Sequence, residues 1–236
     1  MIHSKFYLLG LKSLIGIRSP ALALACSFLA LGALFKQAGF NIQQSLGSSL
    51  FTYALPGQLV MTESYLIGAS ILNIFLSVWL VNFRLYPMTV SLFPILKHKS
   101  QPRWKYYLSC HFIAVASWLI MKSEYEKINK KFRLDFWIGI GSGTLTTAVF
   151  STFLGYSLSD YLSQEMMIGL AIVNPVYFLC TMIGAMNDVK TRIAVISGII
   201  LGPIFYLISP EWSILLGGII GGSLAFLIKV KKNGTI

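Results

Sequence analysis

Long stretches without a single charged side chain decide what this chain can fold into. The runs 19–35, 37–62, 64–83, 106–121, 136–159, 166–187, 193–210 and 212–228 contain no Asp, Glu, Lys or Arg. A hydrocarbon core of about 30 Å takes roughly 20 helical residues, and fewer where flanking cations snorkel to the interface. Each of the eight runs is long enough to cross, whereas a ninth, 85–96, is short for a crossing by itself. With 56% hydrophobic residues and 11% charged, no water-soluble class competes. The expectation is one all-α polytopic integral membrane domain over 1–236, with about eight transmembrane helices, some of them broken by Pro or Gly.

The net charge of +11 invites a nucleic-acid reading, which the placement of the cations excludes. Lys5, Lys12 and Arg18, the stretches Lys97 to Lys105 and Lys122 to Arg133, Lys190 and Arg192, and Lys229 to Lys232 all fall at segment ends and in connections. That is a positive-inside distribution, not a groove that tracks phosphates. The connection holding Asp160 and Glu165 and the turn at Pro210-Glu211 lack Lys and Arg, so both read as external. Eight crossings then put both termini, 122–133 and 186–192 in the cytoplasm. One connection resists: 97–105 carries four cations, yet the count places it outside. Either 85–96 is a half-helix and 106–121 does not fully span, or the connection is an exception to the rule.

Polar, helix-breaking groups inside the apolar runs mark the candidate pathway. Pro56-Gly57-Gln58 and Asn82-Phe83-Arg84 interrupt sequence that otherwise reads as bilayer-spanning. Lipid tolerates such groups only where protein or a water-filled cavity surrounds them. A second interruption stands at Asn174-Pro175. Gly39-Phe40-Asn41-Ile42 and Gly155-Tyr156-Ser157-Leu158 each follow an apolar segment and precede a proline-interrupted one, which points to repeat halves 19–121 and 134–229. Coincidence among apolar stretches is the alternative. With both termini inside and four crossings per half, the repeat would be parallel.

Other motifs resolve to structural roles. Gly139, Gly141 and Gly143 lie in a helix-length segment with no preceding strand, so they read as close helix packing rather than a dinucleotide loop. Gly217 with Gly221, and Gly218 with Gly222, make smooth helix faces for an internal neighbour or a separate subunit. Cys26, Cys110 and Cys180 have no metal-ligand spacing and read as small hydrophobes. His111 is the one histidine inside a segment and reads as a hydrogen-bonded interfacial residue or a proton carrier. All eight acids sit at segment ends or in connections, so no catalytic carboxylate pair, metal site or cofactor site emerges, and the chain does not read as an enzyme.

The series Ser48-Ser49-Leu50-Phe51, Pro56-Gly57-Gln58, Gly68-Ala69 and Asn82-Phe83-Arg84, leading to Ser91-Leu92-Phe93-Pro94, resembles the AzlC-type branched-chain amino acid exporter permeases. The resemblance implies a multi-pass permease of the inner membrane that exports branched-chain or similar apolar amino acids. It also implies a small hydrophobic, AzlD-like membrane subunit as partner. Two departures stand out: Val115-Ala116 replaces an acidic pair usual in that family, and Pro56 stands where a small residue is commoner. A zwitterionic substrate suits the residues present. Arg84 offers a planar fork for the carboxylate, and the Gln58, Asn82 and Asn174 carbonyls offer acceptors for the ammonium. Phe51, Tyr53 and Trp79 would rest against the apolar side chain. Arg84 as an interfacial anchor is the alternative. A channel or carrier for another small solute, or a non-transporting scaffold, would use the same broken helices.

Overall fold

Caps written into the sequence cut several of the apolar runs into short helices. The computed structural model describes residues 2–14, 20–184, 186, 189–208 and 213–227. Among these lie α1 (Ile2–Lys12), α2 (Pro20–Gln37), α3 (Ile42–Phe51), α4 (Leu55–Leu66), α5 (Ile71–Asn82) and α6 (Leu85–Leu96). They are followed by α7 (Arg103–Ser109), α8 (Val115–Glu124), α9 (Arg133–Leu158), α10 (Gln164–Gly184), α11 (Val189–Ile208) and α12 (Ser213–Leu227). No strand occurs among the described residues, so the fold is all-helical.

The stop after α2 is a Schellman motif. Gly39 takes φ +83°, its N–H donates to the Lys36 carbonyl, and the Phe40 N–H donates to the Phe35 carbonyl, both at 3.0 Å. The Phe35 and Phe40 rings meet edge-on at 5.5 Å and close the turn. Asn41 then starts α3 through a reciprocal cap with Gln44, at 2.8 and 2.9 Å. Gly68, at φ +71°, repeats the stop after α4, and Ser70 caps α5. Glycine enters this left-handed region without the steric penalty other residues meet.

These signals leave the expectation of eight crossings unconfirmed. The helices α3, α4 and α5 have 10, 12 and 12 residues. At about 1.5 Å per residue they reach about 15–18 Å, roughly half the hydrocarbon thickness. The run 106–121 is divided between α7 and α8 by a tight turn at Cys110–Phe112. Among the described residues three helical stretches are long and apolar enough to cross a membrane: Pro20–Gln37, Lys130–Tyr161 and Val189–Ile208. A fourth is added if α5 and α6, bent by 41° at their junction, count as one crossing. Absence of charge says what a run can be buried in, not that one helix runs its length.

The centre of the fold is α2 packed parallel to α9. A Cβ on Gly32 would fall on the Thr152 carbonyl, and one on Gly155 on the Leu29 carbonyl, so the backbones touch where these glycines lie. Farther along, Ser159 Oγ donates to the Ala33 carbonyl at 3.3 Å, and Lys36 pairs with Asp160 at 2.7 Å. The helix that follows each member packs on the other: α3 lies on α9 and α10 on α2. Helix α1 lies on the first half of α9, where Gly139 meets the Tyr7 carbonyl and Phe6 stacks on Phe132 at 4.5 Å. Gly141 sits under Phe112 and Gly143 under Leu11 and Leu14, so all three of these glycines make room for neighbours. In the α11–α12 hairpin, Gly217 meets Gly202 and Gly221 meets Ser197, whereas Gly218 and Gly222 face open space.

The stretch 97–105 joins the basic connection 122–133 on one end of the molecule. Gln101 Nε2 donates to the Lys131 carbonyl (3.3 Å) and to Asp135 Oδ2 (3.2 Å). Arg133 reaches back to the Ile95 carbonyl at 3.4 Å, and Trp137 Nε1 donates to the Ser109 carbonyl at 3.1 Å. Of the two alternatives for 97–105, the one in which 106–121 does not fully span fits this arrangement: the run is split between α7 and α8, and the like charge of 97–105 and 122–133 agrees with their position.

Candidate functional site

The break between α3 and α4 positions the first group. Tyr53 is the one described non-glycine residue with positive φ, at +46°. Its side chain is buried beside Phe28, their ring centroids 6.2 Å apart. Pro56 stands in the first turn of α4, where its missing N–H goes unneeded, so the helix break expected at Pro56-Gly57 sits just before them, at residues 52–54. Gln58 is wholly buried one turn in. Its Nε2 donates to Ser48 Oγ (3.0 Å) and, more weakly, to Ser49 Oγ (3.4 Å). Ser49 is bonded to Thr152 at 2.8 Å, and the Thr152 hydroxyl donates to the Ala148 carbonyl at 2.9 Å. The proton of Thr152 is therefore used and that of Ser49 points at Thr152, so the Gln58 end facing Ser49 has to be the donor. The Gln58 Oε1 is left buried with no partner.

Gly57 brings α5 against α4. A Cβ at residue 57 would fall on the Asn82 amide, so glycine is what lets that side chain lie against α4. Asn82 ends α5, and its Oδ1 is buried without a partner. Arg84 occupies the junction between α5 and α6, and its Nε is likewise buried and unpaired. Unsatisfied buried polar atoms cost about 1–3 kcal/mol each, and more when charged. Two acceptors and one cationic donor are thus buried without partners, on α4, at the end of α5 and at the α5–α6 junction.

The other residues named from the sequence fall elsewhere. Asn174 and Pro175 lie within α10, which is assigned continuously across position 175, while their side chains lie outside the described residues. The break expected at Pro175 is not an end of this helix; a proline removes one backbone bond and neighbouring groups can absorb it. Phe51 and Trp79 are 79% and 57% exposed, whereas Tyr53 is buried. His111 Nε2 bonds the Leu50 carbonyl at 2.8 Å, satisfying the last turn of α3 at the break. Ala116 is buried among Leu24, Phe28, Leu31 and Tyr53, surroundings in which a carboxylate would have no counter-charge.

Sequence reasoning missed that Ser48 and Ser49 pair with Gln58 and that Thr152 on α9 backs Ser49; buried Ser45 and Ser49 on α3, and Thr144 and Thr152 on α9, recur at four- and eight-residue spacing. It also missed a cavity of about 510 Å³ between α2, α4 and α10. Its walls include Leu31, Leu34, Leu59 and Met167, with Glu63 as the charged member. Ser27 Oγ lines it, buried without a partner. Leu55, Leu59 and Glu63 recur every four residues, so the cavity and Gly57 are on opposite sides of α4.

The protein-family model described as AzlC protein matches residues 20–162, a stretch that holds α2 to α9 and the whole cluster around Gln58. No curated protein and no solved structure matches the chain.

Proposed function

The chain belongs to the AzlC protein family, and from that premise we propose that it exports branched-chain or similar apolar amino acids. Family membership and the apolar helices make it a membrane protein of transport-related function. The observation that carries the finer reading is the set of unpaired atoms: Gln58 Oε1, Asn82 Oδ1 and Arg84 Nε. An α-amino acid supplies an ammonium to the two carbonyls and a carboxylate to the guanidinium, each group satisfying the other. The broken helix α3–α4 supports this, because irregular backbone at membrane depth is stable only around a polar cavity. We read the protein as a carrier rather than an enzyme. It resides in the cytoplasmic membrane with both termini inside, as the large subunit beside a small hydrophobic AzlD-like one. The crosswise packing of α3 on α9 and α10 on α2 supports two halves related in parallel.

The test is Arg84→Lys, which keeps the charge but removes Nε and the bidentate fork. Loss of one charge-assisted bond, about 1.5–3 kcal/mol, lowers efflux of labelled leucine, isoleucine or valine from loaded vesicles by roughly 10- to 150-fold. Unchanged efflux and unchanged affinity return Arg84 to an anchoring role. A second reading rests on the cavity beside Glu63, whose carboxylate and aliphatic walls also suit an apolar amino acid; Glu63→Gln separates the two.

A further inference from the structure

The geometry points to a binding site for the phosphate headgroup of an anionic lipid at the basic end of the molecule, between the C-terminus of α6, α7 and residue 130. A concavity of about 910 Å³ there is lined by Lys97, Lys99, Arg103 and Lys130, with His98 and Gln101. No Asp or Glu belongs to its lining. None of the four cations makes an ion pair among the described residues. The nearest acid the site touches, Asp135, lies behind Gln101, which donates to it at 3.2 Å. Like charges gathered around a hollow repel one another, and an anion seated among them removes that repulsion.

The walls are built rather than draped. The Tyr106 hydroxyl accepts from the His98 N–H (2.9 Å) and donates to the His98 carbonyl (3.2 Å), which fixes the turn that carries Lys97 and Lys99. Phe93 packs against the Tyr106 ring at 6.3 Å beneath it. Gln101 is 8% exposed, tied to the Lys131 carbonyl as well as to Asp135.

A free phosphate or a phospholipid would satisfy the same cations. What favours the lipid is α7, where Trp104, Tyr107 and Leu108 are 59%, 76% and 66% exposed, interleaved with Arg103 and Lys105. Exposed Trp, Tyr and Leu alternating with cations is the composition of a segment lying at the membrane interface, where acyl chains meet headgroups.

The test uses the purified full chain in detergent, with lipid retention read by native mass spectrometry. Phosphatidylglycerol is retained in preference to phosphatidylcholine. Each cation near an anionic surface contributes about fivefold, so the double variant Lys97→Gln/Arg103→Gln lowers phosphatidylglycerol retention by about 25-fold. Lys99→Gln/Lys130→Gln, the other two lining cations, does the same and serves if the first pair fails to fold. The control Lys5→Gln/Lys12→Gln removes equal charge from α1 and stays within about twofold of the parent. Three outcomes overturn the proposal: equal retention by parent and pocket variants, an equal loss in the control, or displacement of the lipid by millimolar inorganic phosphate.

Discussion

Replacing Gln58 with Leu should separate what holds this fold together from what moves substrate. The side chain is wholly buried. The substitution deletes a donor bond of 3.0 Å to Ser48 and a weak one of 3.4 Å to Ser49. A net contribution of about 0.5–1.5 kcal/mol is lost for the first and less for the second. Against this, the unpaired Oε1 is removed, which relieves about 1–3 kcal/mol, and a Leu of similar volume fills the space with apolar contacts. Ser49 keeps Thr152 as a partner, so no new buried orphan arises there. Before the weaker bond is counted, the sum runs from about 0.5 kcal/mol against the variant to about 2.5 kcal/mol in its favour, with its middle slightly in favour. For a chain of this size 1 kcal/mol moves Tm by about 2–4 °C, so thermal unfolding in detergent shows an unchanged or slightly raised midpoint. Efflux of labelled leucine, by contrast, falls at least tenfold, because an acceptor for the ammonium is gone. A midpoint several degrees lower, or undiminished efflux, would refute the argument that Oε1 is kept unpaired for a ligand.

Glu63→Gln leaves leucine efflux within about twofold if the substrate sits at Gln58, Asn82 and Arg84; a tenfold rise in KM would move the site to the cavity. Gly155→Leu drives a side chain into the Leu29 backbone, which cannot swing aside, and lowers Tm in detergent by several degrees, since overpacking costs about 1–3 kcal/mol or more. Gly218→Leu with Gly222→Leu meets open space within this chain, so the midpoint holds while co-purification of a tagged small partner drops; unaltered co-purification would place the partner elsewhere. In a cysteine-free background, single cysteines at 99 and 127 resist an impermeant reagent added from outside and one at 160 reacts, and the reverse pattern would overturn the orientation.

The sequence by itself determined the solvent and the class of fold. Uncharged runs exclude a water-soluble protein whatever the tertiary arrangement, because burial of that much apolar surface is a sum over residues and needs no contact map. It also exposed the irregular points: Pro56-Gly57-Gln58 and Asn82-Phe83-Arg84 stand out because polar groups in lipid are costly wherever they pack. The stop signals at Gly39 and Gly68 are in the sequence too, but they do not say how short helices stack, so an uncharged run does not reveal by itself whether one helix spans it. Contacts between residues far apart in the chain had to come from the tertiary structure. Gly57 admits Asn82 only because α5 folds back on α4, and the orphaned Oε1 of Gln58 follows from protons committed on α3 and α9. The side of the molecule on which 97–105 lies was decided by Gln101 reaching Lys131 and Asp135. Hydrophobic pattern is local and additive, whereas hydrogen-bond satisfaction is a property of neighbours, so only the folded chain reveals which polar atoms are left waiting for a partner.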